Sequence, residues 1–173
     1  MFDDRLRVLI AEDETIIRLD LRQLLERNGF DVCGEARDGL EAVALARETC
    51  PDVALFDIKM PGLDGVEAAR RVYAERPMPI VMLTAYADEQ LVTRAIGAGV
   101  FSYLTKPFEA RHVLPAIQAA VARHEELLAA RRHIGRTQRS IELDVTSSSG
   151  NVWPLRLTPR ADGTLDITLH NVK

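Results

Sequence analysis

The sequence has few cysteines, no long apolar run and little net charge. Cys33 and Cys50 are its only cysteines and form no C-x-x-C pair, which argues against a disulfide framework and fits a reducing compartment. Residues 1–14 have acids on both sides of a short apolar run, unlike a signal peptide or a transmembrane span. The net charge of -4 argues against nucleic-acid binding through bulk charge, although not through a local basic patch. We therefore expect a cytoplasmic protein without membrane contact.

The 173 residues are enough for one ordinary domain and a remainder. Up to about residue 125, short apolar runs alternate with segments whose apolar residues recur every three or four positions. The runs predict strands at 6–11, 30–35, 53–56, 80–83 and 101–104. The periodic segments predict a helix at 14–28 that Gly29 closes, and a second helix that Asp38 caps and that stops before Pro51. They also predict helices at 65–75 and 88–96 and a long fifth helix from 109 or 110. Buried strands joined by helices indicate an α/β, doubly wound, five-stranded parallel sheet.

The side chains that follow four of the predicted strands are polar and of both charges. They are Glu12 and Asp13 after the first strand, Asp57 after the third, Thr84 after the fourth and Lys106 after the fifth. Functional groups of a doubly wound sheet gather at the carboxyl ends of its strands, so we expect these side chains to share one crevice. Three carboxylates at short distance repel one another unless a cation enters, and oxygen ligands of this kind suit Mg²⁺.

The same groups are suited to binding and accepting a phosphoryl group. Lys106 and the Thr84 hydroxyl can bind phosphoryl oxygens, and an aspartate at the tip of a rigid strand can act as a nucleophile. Asp57 ends a buried strand shortly before a Met-Pro-Gly turn. We interpret Asp57 as a carboxylate that is held rigidly at the mouth of a phosphoryl-binding crevice and forms an acyl phosphate there.

These motifs, in their order and spacing, resemble the receiver domain of two-component response regulators, a flavodoxin-like fold. The motifs are Glu12-Asp13, Asp57 before MPGLDG, Thr84-Ala85 and Lys106-Pro107-Phe108, and the resemblance covers roughly residues 5–125. It implies that Asp57 accepts a phosphoryl group from a sensor histidine kinase. It also implies a signalling module rather than an enzyme, with only slow self-phosphorylation and self-dephosphorylation.

The resemblance further implies roles for individual residues around Asp57. Mg²⁺ would be held by Glu12, Asp13, the Asp57 side chain and the Lys59 backbone carbonyl. Lys106 would contact the phosphoryl group, and the bond between Lys106 and Pro107 would be cis. On phosphorylation Thr84 would move toward the phosphoryl group and Tyr103 would turn inward. The face formed by the fourth helix, the fifth strand and the fifth helix would change and control the output, for instance by forming a homodimer.

The chain beyond Lys106 divides into a helical connector and a tail. A helical seam, which is a second candidate surface for a homodimer, reaches about residue 132 and consists of Leu114, Ile117, Val121, His124, Leu128 and Arg131. The stretch from KPFEARHV to AARR resembles the junction in antiterminator (ANTAR-type) response regulators, whose output domain is helical and binds RNA. The tail departs from that pattern, because IELDV, VWPLRL and LDITLH predict short strands separated by SSSGN and PRADG turns. We therefore divide the chain into a receiver (1–125), a connector (126–135) and a β-rich extension (136–173).

Two other functions compete with a receiver whose β extension docks on the receiver itself, on a second copy or on a partner. One is the receiver of an RNA-binding antitermination regulator with a truncated or altered output. The basic stretch Arg131, Arg132, Arg136 and Arg139 is compatible with RNA, although a solvated charge run after a helix is the favoured explanation. The other is a metal-dependent phosphatase. The resemblance to that class would require a D-x-D motif, in which the first Asp is the nucleophile and the second Asp serves as acid and base. Lys59 occupies the second position here, so the proton carrier for turnover is absent.

Overall fold

The structure, a computed structural model, describes residues 5–85, 98–134, 140–147, 152–160 and 165–169. The first half contains β1 (Arg7–Ala11), α1 (Thr15–Arg27), β2 (Asp31–Ala36), α2 (Gly39–Thr49), β3 (Val53–Asp57) and α3 (Gly65–Glu75). The second half contains β4 (Ile80–Thr84), β5 (Val100–Thr105), the long helix (Ala110–Ile134), β6 (Ile141–Ser147), β7 (Val152–Pro159) and β8 (Leu165–Leu169). The five strands predicted for the receiver are confirmed, each end within one residue, whereas the helix predicted at 88–96 lies outside the described residues.

Strands β1 to β5 form a parallel sheet in the order β2-β1-β3-β4-β5, as the prediction of a doubly wound fold requires. Neighbouring residues of the central strands belong to different core clusters. On β3, Leu55 packs in one cluster and the next residue, Phe56, packs in the other. On β4, Leu83 packs in the cluster of Leu55, and the preceding residue, Met82, packs in that of Phe56. Because side chains alternate along a strand, both faces of the sheet are buried, which explains why these strands are apolar throughout.

Local signals define the ends of the helices that flank this sheet. The predicted cap at Asp38 is confirmed, since its carboxylate accepts a hydrogen bond from the Glu41 backbone N–H at 2.8 Å. Asp64 caps α3 in the same way, with the Glu67 N–H at 2.8 Å. Gly29 follows α1 with a φ of 84°, a left-handed conformation that favours glycine after a helix. Asp38 and Asp64 thus cap the helices that follow the carboxyl ends of β2 and β3.

The strands predicted in the tail continue the sheet beyond β5. β6 pairs parallel to β5, and β7 and β8 follow as antiparallel neighbours, so the described strands form one eight-stranded sheet. Leu155 and Leu157 of β7 are buried in the two core clusters. The tail sheet, by which we mean β6, β7 and β8, therefore packs on the body of the receiver.

The long helix is packed against the sheet well into its second half. Of the predicted seam, Ile117 and His124 are buried, and Leu127 beyond them is buried in the same cluster as Leu157. Pro115 lies within the helix without ending it. The part of the predicted seam that includes Ile117 and His124 thus contacts this chain's own core. Within the described ranges, no helix combines the length and apolar composition of a membrane span.

Candidate functional site

Glu12 and Asp13 follow β1 directly and begin the loop that leads into α1. The Glu12 backbone N–H donates to the Ala36 carbonyl at 3.1 Å, which extends the pairing of β1 with β2 by one step. The Glu12 side chain is buried, while Asp13 is exposed at the mouth of the crevice. The loop therefore presents one carboxylate inside the crevice and one at its rim.

Asp57 is the last residue of β3, and its side chain is buried. The Ile58 N–H donates to the Leu83 carbonyl at 3.2 Å, and the Gly65 N–H donates to the Ile58 carbonyl at 3.0 Å. A Cβ atom at Gly65 would lie only 1.8 Å from the Asp57 carbonyl oxygen. Gly65, the last residue of the MPGLDG motif, must therefore be glycine, because only glycine lets the start of α3 approach the backbone that carries Asp57.

The three predicted carboxylates converge, and the predicted lysine lies among them. One oxygen each of Glu12, Asp13 and Asp57 lies within 4.8 Å of the other two. The Lys106 Nζ atom lies 2.6 Å from Glu12 Oε2 and 3.2 Å from Asp57 Oδ2. The Lys106 backbone N–H donates to the Thr84 carbonyl at 2.9 Å, and the Lys106–Pro107 peptide bond is cis, as expected. Elements β1, β3 and β5 thus deliver their polar ends to one crevice.

Burial dominates the electrostatics of this crevice. Burial raises the pKa of Asp57 above its usual value, although the charge of Lys106 and its hydrogen bond act in the opposite direction. Burial likewise raises the pKa of Glu12, opposed by its hydrogen bond to Lys106 and reinforced by the charge of Asp57. Burial alone would lower the pKa of Lys106, but the hydrogen bond to Glu12 and the charges of both carboxylates raise it. Lys106 therefore stays charged, but its single positive charge does not offset the burial of the Glu12 and Asp57 carboxylates.

The donor set fits a hard divalent cation. Three carboxylates and one ammonium group leave an excess of negative charge, and the oxygens are already close enough to share an ion. Carboxylate oxygens are ligands of Mg²⁺, which also keeps water molecules and can bind a phosphoryl oxygen. A cation of this kind would favour the charged carboxylates and so oppose the rise in the pKa values of Asp57 and Glu12 that burial causes.

The other predicted site residues lie around this cluster. Thr84 ends β4 and is buried beside the crevice. Tyr103 lies on β5 opposite Met82 and is only 1% exposed, so its ring is already buried here. Lys59 follows Asp57 by two residues, and its side chain is exposed. Their roles in switching and metal binding stay predictions.

Arg18, whose role was not predicted from the sequence, contacts the backbone of the acidic loop, by which we mean Glu12 and Asp13. Its side chain is 7% exposed, and its guanidinium donates to the Glu12 carbonyl at 2.5 Å and lies 3.4 Å from the Asp13 carbonyl. Glu35 of β2 balances its charge at 3.8 Å. One signal was present in the sequence, because Arg18 occupies the same face of α1 as Leu21 and Leu25, where a charged residue is unusual.

The chain belongs to the response regulator receiver domain family, whose profile matches residues 8–118. It is a receiver of the two-component type with an acidic pocket formed by Glu12, Asp13 and Asp57. Receiver domains are signalling modules rather than enzymes, and their partners are histidine kinases.

Two solved structures and one curated relative illustrate the similarity. The "Transcriptional regulatory protein PdtaR" of Mycobacterium tuberculosis is 43% identical over 159 residues, which is 92% of this chain and 72% of that protein. The receiver domain of a modulated diguanylate cyclase from Desulfovibrio desulfuricans G20 is 38% identical with a TM-score of 0.66, covering 72% of this chain and 99% of that one. CheY in a CheX-CheY-BeF3-Mg complex from Borrelia burgdorferi is 28% identical with a TM-score of 0.62, covering 65% and 87%.

Proposed function

We propose that Asp57 accepts a phosphoryl group from a sensor histidine kinase and that the reaction depends on Mg²⁺. The observation that carries this proposal is the position of the Asp57 carboxylate, at the end of β3, beside Glu12 and Asp13 and 3.2 Å from Lys106. The pairing of BeF3 and Mg with CheY in a solved complex supports it, since that protein is similar to this chain.

The reaction is the transfer of a phosphoryl group from a phosphohistidine of the kinase to the Asp57 carboxylate of this chain. An Asp57 carboxylate oxygen attacks the phosphorus of a phosphohistidine, the P–N bond breaks, and the imidazole nitrogen keeps the electron pair. The product is an acyl phosphate on Asp57. Lys106 would bind an oxygen of the phosphoryl group, exchanging its present contacts with Glu12 and Asp57 for a new one. Bound Mg²⁺ would supply charge neutralisation for the carboxylates and the phosphoryl oxygens, held by Glu12, Asp13, Asp57 and the Lys59 carbonyl.

An apolar surface beside the crevice supports a protein as the phosphoryl donor. Ile16 and Leu19 on α1 are exposed, and a groove next to them is lined by Ile17, Leu24 and Phe108 together with Lys106 and Pro107. Exposed apolar side chains grouped beside a reactive carboxylate are suited to a partner's surface rather than to a small donor. A kinase that uses ATP also implies a cytoplasmic location for this chain.

The proposed output is transcriptional regulation, which the similarity to PdtaR over 159 residues favours. Phosphorylation would change the surface around β5 and the long helix and so control self-association or another contact. Antitermination through RNA is the second candidate, and it rests on the resemblance of the connector. A receiver that binds RNA directly would retard a labelled RNA in a gel, whereas one that acts through association would change its sedimentation on phosphorylation.

The test of the proposed function uses an acyl-phosphate donor such as acetyl phosphate, with and without Mg²⁺. We expect intact-protein mass spectrometry to detect one added phosphoryl group in the presence of Mg²⁺ only. Asp57→Asn should prevent this addition, whereas Asp52→Asn, which removes an exposed aspartate just before β3, should not. Equal labelling of the Asp57→Asn protein, or turnover of small phosphate esters, would contradict the proposal.

A further inference from the structure

The loop between β3 and α3, residues 58–64, is held at both of its ends. The Ile58 N–H donates to the Leu83 carbonyl of β4 at 3.2 Å, which fixes the start of the loop against the sheet. The Gly65 N–H donates to the Ile58 carbonyl at 3.0 Å, and the Asp64 carboxylate caps α3. The β3–α3 loop therefore has little freedom where it leaves the strand and where it enters the helix.

The middle of the β3–α3 loop lies against the start of α2, and Gly39 makes this close approach possible. A Cβ atom at Gly39 would lie 2.3 Å from the Leu63 carbonyl oxygen and 2.9 Å from the Leu63 Cβ atom. These atoms belong to the backbone or are attached directly to it, so a change of side-chain rotamer cannot move them away. Gly39 itself cannot retreat, because it is the first residue of α2 and follows the cap at Asp38.

The chain needs glycine at residue 39 for space. Gly39 belongs to a regular helix, where alanine is the more favourable residue, so helix formation does not explain the glycine. Gly39 is also buried, which means that the β3–α3 loop and not solvent fills the space beside it. The contact with Leu63 is therefore what a side chain at this position would disturb.

A displacement of Leu63 would be transmitted along the loop to Lys59. Met60 is 8% exposed, and Leu63 packs on the core cluster that contains both Met60 and Ala42 of α2. The end of the loop cannot absorb a shift, because Gly65 already approaches the backbone at the end of β3 closely. The shift therefore passes to the preceding residues of the loop, which include Lys59.

We propose that Gly39 is a positioning residue for Mg²⁺, because its contact with Leu63 sets the place of the Lys59 carbonyl relative to the carboxylates of the crevice. This inference rests on the proposed function, which assigns the Lys59 carbonyl as a ligand of Mg²⁺. Mg²⁺ requires a nearly regular octahedron of oxygen ligands, so a displaced carbonyl lowers its affinity. Ca²⁺ accepts irregular shells, so the same displacement affects Ca²⁺ less.

The test compares the affinities of the full-length protein for Mg²⁺ and Ca²⁺, measured by calorimetric titration without a phosphoryl donor. We expect Gly39→Ala to bind Mg²⁺ about tenfold more weakly, because contacts that orient a metal ligand are commonly worth that much. Its affinity for Ca²⁺ should fall by a smaller factor, so the preference for Mg²⁺ over Ca²⁺ declines. A purely structural role for Gly39 would leave this preference unchanged.

Gly29→Ala is the matched control, since it adds the same methyl group at a glycine that follows α1. The added Cβ would meet no atom of the described chain within 4 Å, but the φ of 84° strains the backbone of an alanine. This variant should therefore have a lower Tm and unchanged affinities for both ions. Leu63→Ala weakens the packing of the loop from the other side of the contact. It replaces Gly39→Ala if that variant fails to fold, and it should show the same loss of preference for Mg²⁺.

The possible outcomes separate this inference from the proposed function. If the folded Gly39 or Leu63 variant keeps the wild-type affinity for Mg²⁺, or if Gly29→Ala loses the same preference, Gly39 does not position the metal. Wild-type protein that binds Mg²⁺ and is phosphorylated on Asp57 would in that case leave the proposed function intact. Wild-type protein that does not bind Mg²⁺ would instead contradict the proposed function and this inference with it.

Discussion

Replacing Arg18 by methionine tests whether the conformation of the acidic loop depends on the buried Arg18 guanidinium. The substitution keeps most of the side-chain volume on the buried face of α1, where Leu21 and Leu25 also pack. It removes the donors to the Glu12 and Asp13 carbonyls. Glu35 keeps a partner, because Arg22 lies 2.6 Å from it. The substitution therefore removes the loop contacts, a 3.5 Å contact with the Thr15 hydroxyl and the weaker ion pair with Glu35 at 3.8 Å.

The magnitude follows from these contacts. A hydrogen bond from a charged donor contributes about 1.5–3 kcal/mol, and the long ion pair adds little, so Arg18→Met should lower the free energy of unfolding by about 2 kcal/mol. For a domain of this size the corresponding fall in Tm is about 4–8 °C. A contact that orients metal ligands is commonly worth about tenfold or more in metal affinity, so Mg²⁺ should bind about tenfold more weakly.

Thermal unfolding and calorimetric titration with Mg²⁺ measure the two effects separately. Arg22→Met is the matched control, since Arg22 lies on the same helix and pairs with the same Glu35 but does not contact the loop. The control should bind Mg²⁺ with unchanged affinity. If Arg18→Met lowers Tm without weakening Mg²⁺, Arg18 only stabilises the fold, and the inferred support of the acidic loop is wrong.

Three further predictions concern the crevice and its switch. Burial raises the folded-state pKa of Asp57 above its unfolded value of 3.8. The free energy of unfolding of the metal-free protein should therefore fall as the pH rises from 3.8 through the folded-state pKa. Asp57→Asn should therefore raise Tm at pH 7 without Mg²⁺ and not at pH 3, and an equal effect at both would contradict this reasoning. Gly65→Ala places a Cβ 1.8 Å from the Asp57 carbonyl oxygen, so we expect a loss of about 1–3 kcal/mol in chemical denaturation and slower phosphorylation. Thr84→Ala should still be phosphorylated but lose most of the change in sedimentation that phosphorylation causes. A full response in that variant would exclude the Thr84 hydroxyl from the switch.

Local signals made the sheet and the acidic crevice predictable. The apolar runs before Asp57 and Thr84 can only be buried strands in this pattern, and parallel strands place their polar ends together wherever the exact register falls. The caps at Asp38 and Gly29 depend on neighbouring residues alone, and the structure confirms them.

The attachment of the tail was not predictable for a physical reason. Three short strands were evident from residues 141–170, but the sequence left open whether they dock on the receiver, on a second copy or on a partner. Pairing of Ser102 with Thr146 joins segments far apart in the chain, and no local pattern encodes such a register. Leu127 shows the consequence, because this residue of the predicted connector is buried in the same cluster as Leu157.

The role of Arg18 was missed because helical periodicity identifies apolar faces and treats a charged residue on such a face as an interruption. Its function depends on the carbonyls of a loop and on Glu35 of β2, and only the tertiary structure brings these together. A buried charge on an otherwise apolar stripe is nevertheless a signal that a partner exists nearby.

Chemical mapping of the phosphorylated residue tests the central claim most directly. Borohydride reduces an acyl phosphate of aspartate to homoserine, so the protein can be labelled with acetyl phosphate and Mg²⁺, reduced, digested and sequenced by mass spectrometry. We predict homoserine at residue 57 and unmodified aspartate at residue 13. Homoserine at residue 13 or elsewhere, with residue 57 intact, would contradict the assignment of Asp57 as the phosphoryl acceptor.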